Sequence, residues 1–289
     1  MYAIIGITGH VGSVAAHLLL NKKLPVRAII RSAAKAEARQ AKGAEIAIAE
    51  LHDALALEKA FSSTRAIFVM TPPLFDVADP MAEHDQMLAA LFTAIEKTRP
   101  DKVVYLSSIG AHLRTGTGAI KKLYDMEQAF GRLPVPTAGI RAGWFMENFV
   151  GGIAQAKQSG QFHSFLSPLD KHIPMIATKD IGQLAAELLQ QNWTGHRIVE
   201  LEGPNRYSAN DVVNTLTTQL KRDIKAQIIP VHDYQRVYRS FGGSPAAAIM
   251  MAEMTIGFNN NHIVFEGNGR EQAIGITLLE DALSNYVRT

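Results

Sequence analysis

The sequence predicts an α/β protein in which a doubly wound parallel sheet is joined by a smaller α/β domain. Short apolar and β-branched runs recur through the first half of the chain, and segments with helical apolar spacing separate them. Because these runs are continuously apolar rather than alternating, the strands are expected to be buried on both faces. Helices must then cover each side of the sheet.

The first part of the chain supplies most of the predicted sheet. One helix is predicted from about Val11, a second after Asp53, whose side chain can cap it, and a third over residues 87–96. Parallel strands separated by such helices are typical of a doubly wound sheet, which binds ligands at the carboxyl ends of its strands. The predicted strands cover residues 2–7, 26–30, 45–49, 66–70, 102–106 and 137–141.

The pattern loosens after about Val150, which predicts a second and smaller domain. Ser208 and Asp211 resemble a capping box before a helix, and residues 245–254 form an apolar, methionine-rich helix candidate. Residues 178–191 read as a helix and residues 197–201 as a strand that joins the sheet. We therefore predict a sheet domain of residues 1–152, completed by residues 177–202, and a substrate domain of residues 153–176 and 203–289.

Composition and charge exclude several classes of function. The 289-residue chain has a formal net charge of +2 without a concentrated basic stripe, so direct nucleic-acid contact is not expected. It has no cysteine, which excludes disulfides, thiol catalysis and thiolate metal ligands, and its histidines lack metal-ligand spacing, so no metal site is expected. Because no apolar run approaches the length of a membrane span, we expect a cytoplasmic protein without membrane contacts.

Three glycines form the most informative motif. Gly6, Gly9 and Gly12 follow the first predicted strand and open the first predicted helix. Glycines with this placement make a tight turn, let the backbone approach a pyrophosphate, and expose helix N–H groups to it. A flexible strand–helix turn is the alternative, but the position at the first strand favours a dinucleotide site on a Rossmann-type domain. The expected contacts include Thr8, Val11 and His10, the last as a solvated side chain beside the phosphates.

The end of the second predicted strand distinguishes between the nicotinamide cofactors. NAD-selective sites place a carboxylate there for the ribose 2′-hydroxyl, whereas an arginine accommodates a 2′-phosphate. This chain has Arg31 at that point, Lys35 one helical turn later, and no acid nearby in the sequence. A surface arginine at a strand end is the alternative. The pattern favours NADP(H) as the cofactor.

With these residues in view, the chain resembles the NmrA-like family of atypical short-chain dehydrogenase/reductases. Within that family, it is most similar to the NADPH:quinone reductase and triphenylmethane-dye reductase group. Residues 104–111 and residues 141–148, which read Arg-Ala-Gly-Trp-Phe-Met-Glu-Asn, carry the likeness together with the glycine loop. The resemblance implies that Leu51 lies near the adenine, and that the nicotinamide is contacted by Thr71, Pro72, Pro73, Gly143, Trp144 and Phe145.

The catalytic pattern of ordinary short-chain dehydrogenases is incomplete. Ser107 or Ser108 stands where the resemblance places a serine, with Ser107 preferred. Lys121 and Lys122 are the candidates for the lysine, with Lys122 preferred. Thr117 and Gly118 occupy the place of the missing tyrosine. We therefore expect acceptors that need little beyond a well-placed hydride. An apolar pocket of aromatic and methionine side chains is predicted from Phe75, Met146, Phe149 and Met175, with an ordinary interdomain core as the alternative.

Three functions remain open from the sequence. The first is an NADPH-dependent reductase of a quinone-like or other electron-poor aromatic acceptor. The second is an NADP(H)-sensing regulator without turnover, which the resemblance also allows and which would dock on another protein. The third, a sugar-nucleotide epimerase or dehydratase, is weakened by the missing tyrosine. A homodimer is compatible with either of the first two.

Overall fold

A computed structural model describes residues 1–32 and 43–288 of the chain. The strands are β1 (Tyr2–Ile5), β2 (Val26–Ile30), β3 (Glu45–Ile48), β4 (Ala66–Val69), β5 (Lys102–Ser108), β6 (Thr137–Ala142), β7 (Trp144–Phe145), β8 (Gln161–Ser164), β9 (Ile173–Ile176), β10 (His196–Glu202), β11 (Arg206–Tyr207), β12 (Lys225–Ile228) and β13 (Glu271–Ile274). The helices are α1 (His10–Asn21), α2 (Ala54–Phe61), α3 (Pro80–Thr98), α4 (Lys121–Phe130), α5 (Val150–Ser159), α6 (Thr178–Gln190), α7 (Ala209–Leu220), α8 (Tyr234–Ser240), α9 (Pro245–Asn259) and α10 (Leu279–Arg288).

The central sheet has eight strands in the order β3-β2-β1-β4-β5-β6-β10-β13, and every neighbouring pair is parallel. The predicted fold class is confirmed. The strand order reverses at β1, which pairs with β2 on one side and β4 on the other. A crevice for a ligand is expected outside the carboxyl ends of the strands at this reversal.

Two apolar cores cover the two faces of this sheet. On β4, Phe68 packs into the core beneath α1 and α6, whereas its neighbour Ile67 packs into the core beneath α2, α3 and α4. Successive side chains of a strand point to opposite faces, and both of these side chains are fully buried. The continuous apolar runs of the sequence have this double burial as their physical cause.

The remaining strands form a smaller assembly beside the sheet. β7, β9 and β11 make a three-stranded sheet, and β8 pairs with β12. A third core packs these strands against α5, α7 and α10, and a fourth cluster forms around Tyr234 and Tyr238 of α8. The domain division stays a prediction. β13 belongs to the part assigned to the smaller domain, yet it pairs with β10 in the central sheet.

The helix boundaries agree with the local capping signals of the sequence. The Asp53 carboxylate accepts hydrogen bonds from the N–H groups at the start of α2, and Ser208 and Asp211 form a reciprocal capping box on α7. None of the helices that the structure describes combines the length and apolar character needed to cross a membrane.

Candidate active site

The glycine loop joins β1 to α1, and its backbone turns so tightly that Gly6 and Gly12 have no room for a side chain. Gly6 has a φ of +75°, which favours glycine, and the Gly9 N–H donates to the Gly6 carbonyl at 2.9 Å. A Cβ atom on Gly12 would lie 2.4 Å from the Gly6 carbonyl oxygen. The start of α1 therefore packs against the Gly6 backbone at a distance that only glycine permits. The first N–H groups of α1 lack intrahelical acceptors and no side chain caps them, so they suit an anion.

A cleft of about 460 Å³ opens above this loop, and we call it the glycine-loop cleft. It lies at the carboxyl ends of β1 to β4, where the strand order reverses. The structure thus brings together sequence-predicted residues that are far apart in the chain. Those that line the cleft are Gly6, Thr8, Gly9, Arg31, Leu51, Pro72 and Pro73.

Several other residues predicted to bind the cofactor do not line this cleft. Val11 and Gly12 are buried at the start of α1, and Thr71 is half-buried between Met70 and Pro72. Gly143 connects β6 to β7, where a Cβ would lie 2.8 Å from the Pro174 carbonyl oxygen, so the glycine permits the close approach of β9. Lys35 lies outside the described residues.

Glu50 and Met70 also line the glycine-loop cleft, and neither was among the cofactor contacts expected from the sequence. Glu50 lines the cleft together with Arg31, although no acid stands near Arg31 in the sequence. The reason is that Glu50 follows β3, and β3 pairs with β2. Met70 is the second: its terminal methyl lies 2.6 Å from the position of a Cβ on Gly6, so this side chain packs directly on the loop.

His10 is exposed, as expected for the loop, but it also contacts the C-terminal helix. Its ring meets that of Tyr286 edge to face, with centroids 6.3 Å apart, and the Tyr286 hydroxyl lies 3.5 Å from His10 Nδ1. Burial, together with the Glu147 charge, raises the pKa of Tyr286. Helix α10 therefore reaches the glycine loop from the opposite end of the chain.

Lys122 fastens the loop that follows β4. This residue lies in the first turn of α4, is buried, and donates from Nζ to the Pro73 carbonyl at 3.0 Å. Burial lowers the pKa of Lys122 to about 8. His84 of α3 is fully buried nearby, and burial, followed by the Lys122 charge, lowers the pKa of its ring. One wall of the glycine-loop cleft is thus held by an ammonium group.

Ser107 lies in a buried ionic network and does not line the glycine-loop cleft. Its hydroxyl donates to the Glu127 carboxylate at 2.5 Å, and Glu127 also accepts from Arg141 at 2.7 and 2.9 Å. Arg141 reaches Glu266 at 2.5 Å and Glu200 at 3.6 Å. The bidentate pair to Glu127 occupies a carboxylate that could otherwise assist the serine in proton transfer. The predicted catalytic role of Ser107 gains no geometric support.

The place of the missing tyrosine is filled by backbone. Gly118, four residues before Lys122, has a φ of +52°, and a Cβ there would lie 1.9 Å from the Met250 carbonyl oxygen. Helix α9 therefore packs against this turn so closely that no side chain fits. The methionine-rich helix predicted from the sequence thus leaves no room for a side chain at the place of the tyrosine.

A second cleft of about 650 Å³ lies beyond β7, and we call it the aromatic cleft. Trp144 lines it, while Phe145, the next residue of β7, packs on the core of the central sheet. Phe149 lines it too, but Met146 and Met175 are fully buried beneath, as parts of the core rather than of the wall. Its other aromatic lining residues are Phe162, Phe165 and Phe241.

Phe75 connects the two clefts without lining either. Its ring contacts that of Tyr238 edge to face at 6.5 Å, and its carbonyl accepts from the Ser244 N–H at 2.9 Å. Tyr238 stacks on Phe165 at 4.3 Å. The loop after β4 therefore touches both the glycine-loop cleft and the aromatic wall. Across residues 1–32 and 43–288, no group of three or more His, Cys, Asp or Glu side chains is placed to hold a metal ion.

Comparison with known proteins accounts for this architecture. The model of the NmrA-like family matches residues 2–283. The chain belongs to the NmrA-like family. The resemblance stated from the sequence motifs is confirmed. Two relatives are the NAD(P)H azoreductase of Xenophilus azovorans, 25% identical over 88% of this chain and 86% of the relative, and quinone oxidoreductase 2 of Escherichia coli (strain K12), 23% identical over 99% and 98%.

Solved structures show the same fold. The NADPH-dependent quinone oxidoreductase of Escherichia coli complexed with NADPH superposes with a TM-score of 0.81 at 21% identity, over 99% of each chain. The triphenylmethane reductase of Citrobacter sp. complexed with NADP(H) superposes with a TM-score of 0.77 at 16% identity, over 99% of this chain and 100% of that one.

Proposed function

We propose that this member of the NmrA-like family is an NADPH-dependent oxidoreductase that reduces an electron-poor conjugated acceptor such as a quinone or an azo compound. The observation that carries the proposal is the glycine-loop cleft, in which an uncapped helix N-terminus and Arg31 line one cavity at the strand-order reversal. The names of the relatives support it, since they describe an NAD(P)H azoreductase and a quinone oxidoreductase.

The residues of the cleft fit the parts of such a cofactor. The open N–H groups of α1 suit its pyrophosphate, Arg31 suits a 2′-phosphate, and Leu51 offers an apolar contact for the adenine. Pro72 and Pro73, held by Lys122, would border the nicotinamide, which supplies a hydride when bound. The exposed carboxylate of Glu50 opposes a phosphate in the same cleft, so the Arg31 charge has to outweigh it.

The proposed chemistry needs little acid catalysis from the chain. Reduction adds a hydride and one proton to the acceptor, and electron-poor acceptors can take that proton from water. This suits a site where Gly118 stands in place of the tyrosine and where the Ser107 hydroxyl is bonded to Glu127. The work of the protein is then to hold the acceptor in line with the nicotinamide ring.

The function is tested by following NADPH oxidation at the nicotinamide absorbance with quinones, azo compounds and cationic dyes as acceptors. We expect turnover with at least one of these classes. Tight NADPH binding without turnover on any of them would overturn the proposal and favour the regulatory alternative.

The cofactor assignment is tested by Arg31→Asp. We expect the Kd for NADPH to rise by at least about tenfold, because charge-assisted hydrogen bonds contribute about 1.5–3 kcal/mol, while NADH binding changes little. Arg65→Asp is the matched control, since Arg65 is a surface arginine just before β4, at the opposite end of the strands. An equal loss for NADPH and NADH would show that Arg31 does not meet the 2′-phosphate.

A further inference from the structure

The aromatic cleft changes character from its inner end to its mouth. Phe149 and Phe162 are buried at the inner end, whereas Ile228 is 45% exposed and Phe241 is 64% exposed. Val231, which lies between lining residues of the same segment, is 59% exposed. Large apolar side chains in the open are ordinary when scattered, but here they gather at one cavity. An apolar mouth of this kind favours an apolar ligand.

The charges of the cleft are internally balanced. Its two charged lining residues are Asp233 and Arg236, and the Arg236 guanidinium donates to the Asp233 carboxylate at 3.0 Å. Ser164 is also satisfied, because its hydroxyl donates to the Leu166 carbonyl and accepts from the Leu166 N–H. A ligand that carries a charge into the cleft would find both charged side chains already paired, and it would lose hydration. The buried Trp144 Nε1, which has no hydrogen-bond partner among the described residues, offers a neutral donor instead.

The size and position of the cleft point to one part of an extended ligand. Its volume of about 650 Å³ is in the range of pockets that hold drug-sized molecules, well above the needs of a single ring. Trp144 lines it from β7, directly after the strand whose carboxyl end borders the predicted nicotinamide position. Phe165 of its wall stacks on Tyr238, which contacts Phe75 of the loop after β4. Ring contacts therefore link the wall of the aromatic cleft to the loop after β4, where the proposed reaction takes place.

We infer that the aromatic cleft binds an uncharged apolar extension of the acceptor, an aliphatic chain or a further aryl group, while the reducible ring stays near the loop after β4. The inference rests on the proposed function in that the extension belongs to the acceptor reduced there. It makes the enzyme selective for lipophilic acceptors over small or multiply charged ones of equal reduction potential.

Gly151 provides a way to fill the cleft without disturbing the fold. It lines the cleft on the first turn of α5, and a Cβ there would meet no atom within 4 Å. Replacing an exposed helical glycine does not destabilise a helix. Ala154→Leu is the matched control, because Ala154 is exposed on the same helix but does not line the cleft.

The experiment compares a dimethoxy-methyl-benzoquinone with the same quinone bearing a decyl chain. We expect the wild-type protein to have at least about tenfold higher kcat/KM for the decyl compound, which corresponds to about 1.4 kcal/mol. Gly151→Leu should remove this preference and leave the kcat/KM of the chain-free quinone unchanged, and Ala154→Leu should retain the preference. Equal kcat/KM values for the two quinones, or equal losses for both in Gly151→Leu, would overturn the inference.

A binding measurement separates this inference from the proposed function. Calorimetric titration with the decyl quinone should show binding that Gly151→Leu and Phe241→Ser weaken, whether or not turnover occurs, while Ile276→Ser, at a 76% exposed isoleucine elsewhere, should not. Failure to bind would overturn the inference, and binding without NADPH oxidation would overturn only the proposed function. Co-sedimentation with neutral lipid vesicles, lost in Phe241→Ser, would instead assign the apolar mouth to a membrane surface.

Discussion

At the scale of single residues, packing around Gly118 excludes a side chain from the place of the tyrosine. The position that the tyrosine pattern would use lies against the backbone of α9, and a Cβ there would be 2.7 Å from the Met254 nitrogen as well as 1.9 Å from the Met250 oxygen. A tyrosine hydroxyl is therefore excluded by packing and not only by substitution. No phenolic donor can therefore stand at this place.

Gly118→Ala should consequently destabilise the folded protein. We expect the free energy of unfolding to fall by at least about 2 kcal/mol, from a strained positive φ and from overpacking against α9. Gly151→Ala is the matched control on α5, where the added methyl enters open space, and it should leave the stability equal or slightly higher. Denaturant unfolding measures both, and similar effects of the two substitutions would contradict this explanation.

Lys122 is the second residue considered at this scale, because its hydrogen bond to the Pro73 carbonyl holds the loop after β4. Lys122→Met keeps the buried stem but removes the donor to the Pro73 carbonyl, so we expect NADPH binding to weaken about tenfold. The melting temperature should stay unchanged or rise, because an ammonium group no longer has to be buried. A loss of stability with unchanged NADPH affinity would show that the contact is merely structural.

The contact between Lys122 and Pro73 also predicts that NADPH binding depends on pH. Because the pKa of Lys122 is lowered to about 8, its ammonium group is neutralised in the folded protein above that pH, and the hydrogen bond to Pro73 weakens. The KM for NADPH should therefore rise as the pH passes about 8. That step should be absent in Lys122→Met, and its persistence there would assign it to another group.

At the scale of elements, α6 is capped by a residue from far along the chain. Its N-cap position, Ala177, has no side chain to offer, and the Glu147 carboxylate instead accepts from the Thr178 N–H at 3.0 Å and the Thr178 hydroxyl at 2.6 Å. α6 in turn packs on α1 so closely that a Cβ on Gly182 would lie 2.6 Å from the Val11 carbonyl oxygen. The cap therefore supports the helix that carries the glycine loop.

Glu147→Ala should lower the free energy of unfolding by about 1 kcal/mol, as the loss of a helix cap does, and should also weaken NADPH binding. Ser208→Ala removes the cap of α7, which is distant from the glycine loop, and should cost similar stability without changing NADPH affinity. Denaturant unfolding and NADPH titration of both variants measure this. Equal NADPH affinities in the two variants would refute the link between α6 and the loop.

At the scale of the whole molecule, a buried ionic network ties the sheet to the C-terminal part. Arg141 on β6 pairs with Glu127 of α4 and with Glu266 of the segment between α9 and β13, and Glu200 of β10 accepts from the N–H groups of Glu266 and Gly267. Removing one partner leaves a buried charge without compensation, which is strongly destabilising. β13 reaches the edge of the sheet through this segment.

Acid should weaken this connection as the pH falls toward 2. Hydrogen bonds from Arg270, together with the Arg141 charge, lower the pKa of Glu266 to about 2. Because the folded pKa is depressed, the stability it contributes is complete above about pH 4.3 and is lost as the pH falls toward 2. Glu266→Gln should cost about 2 kcal/mol at neutral pH and progressively less below pH 4.3.

Unfolding of the wild-type protein and Glu266→Gln by denaturant, measured across the acid range, tests this expectation. Glu271→Gln is the control, since Glu271 is exposed and pairs with Arg197 outside this network, and pairs with an exposed partner contribute less. A constant difference between the wild type and Glu266→Gln across the acid range would contradict the assignment.

The sequence by itself determined the sheet, its helices and the glycine loop, because each is written in a local pattern. The strand at 26–30 coincides with β2, and the Asp53 and Ser208 caps begin their helices where expected. The spacing of Gly6, Gly9 and Gly12 likewise marks a strand–loop–helix unit whose geometry is settled within a few residues.

Only the tertiary structure decided what surrounds that loop. Glu50 joins Arg31 through strand pairing, and Lys122 meets Pro73 across 49 residues of chain. Gly118 is closed off by α9, and Met146 lies in the core rather than on a wall. The physical reason is common to all of them: these contacts form between elements remote in sequence, so their partners are fixed by packing and by the order of strands rather than by periodicity.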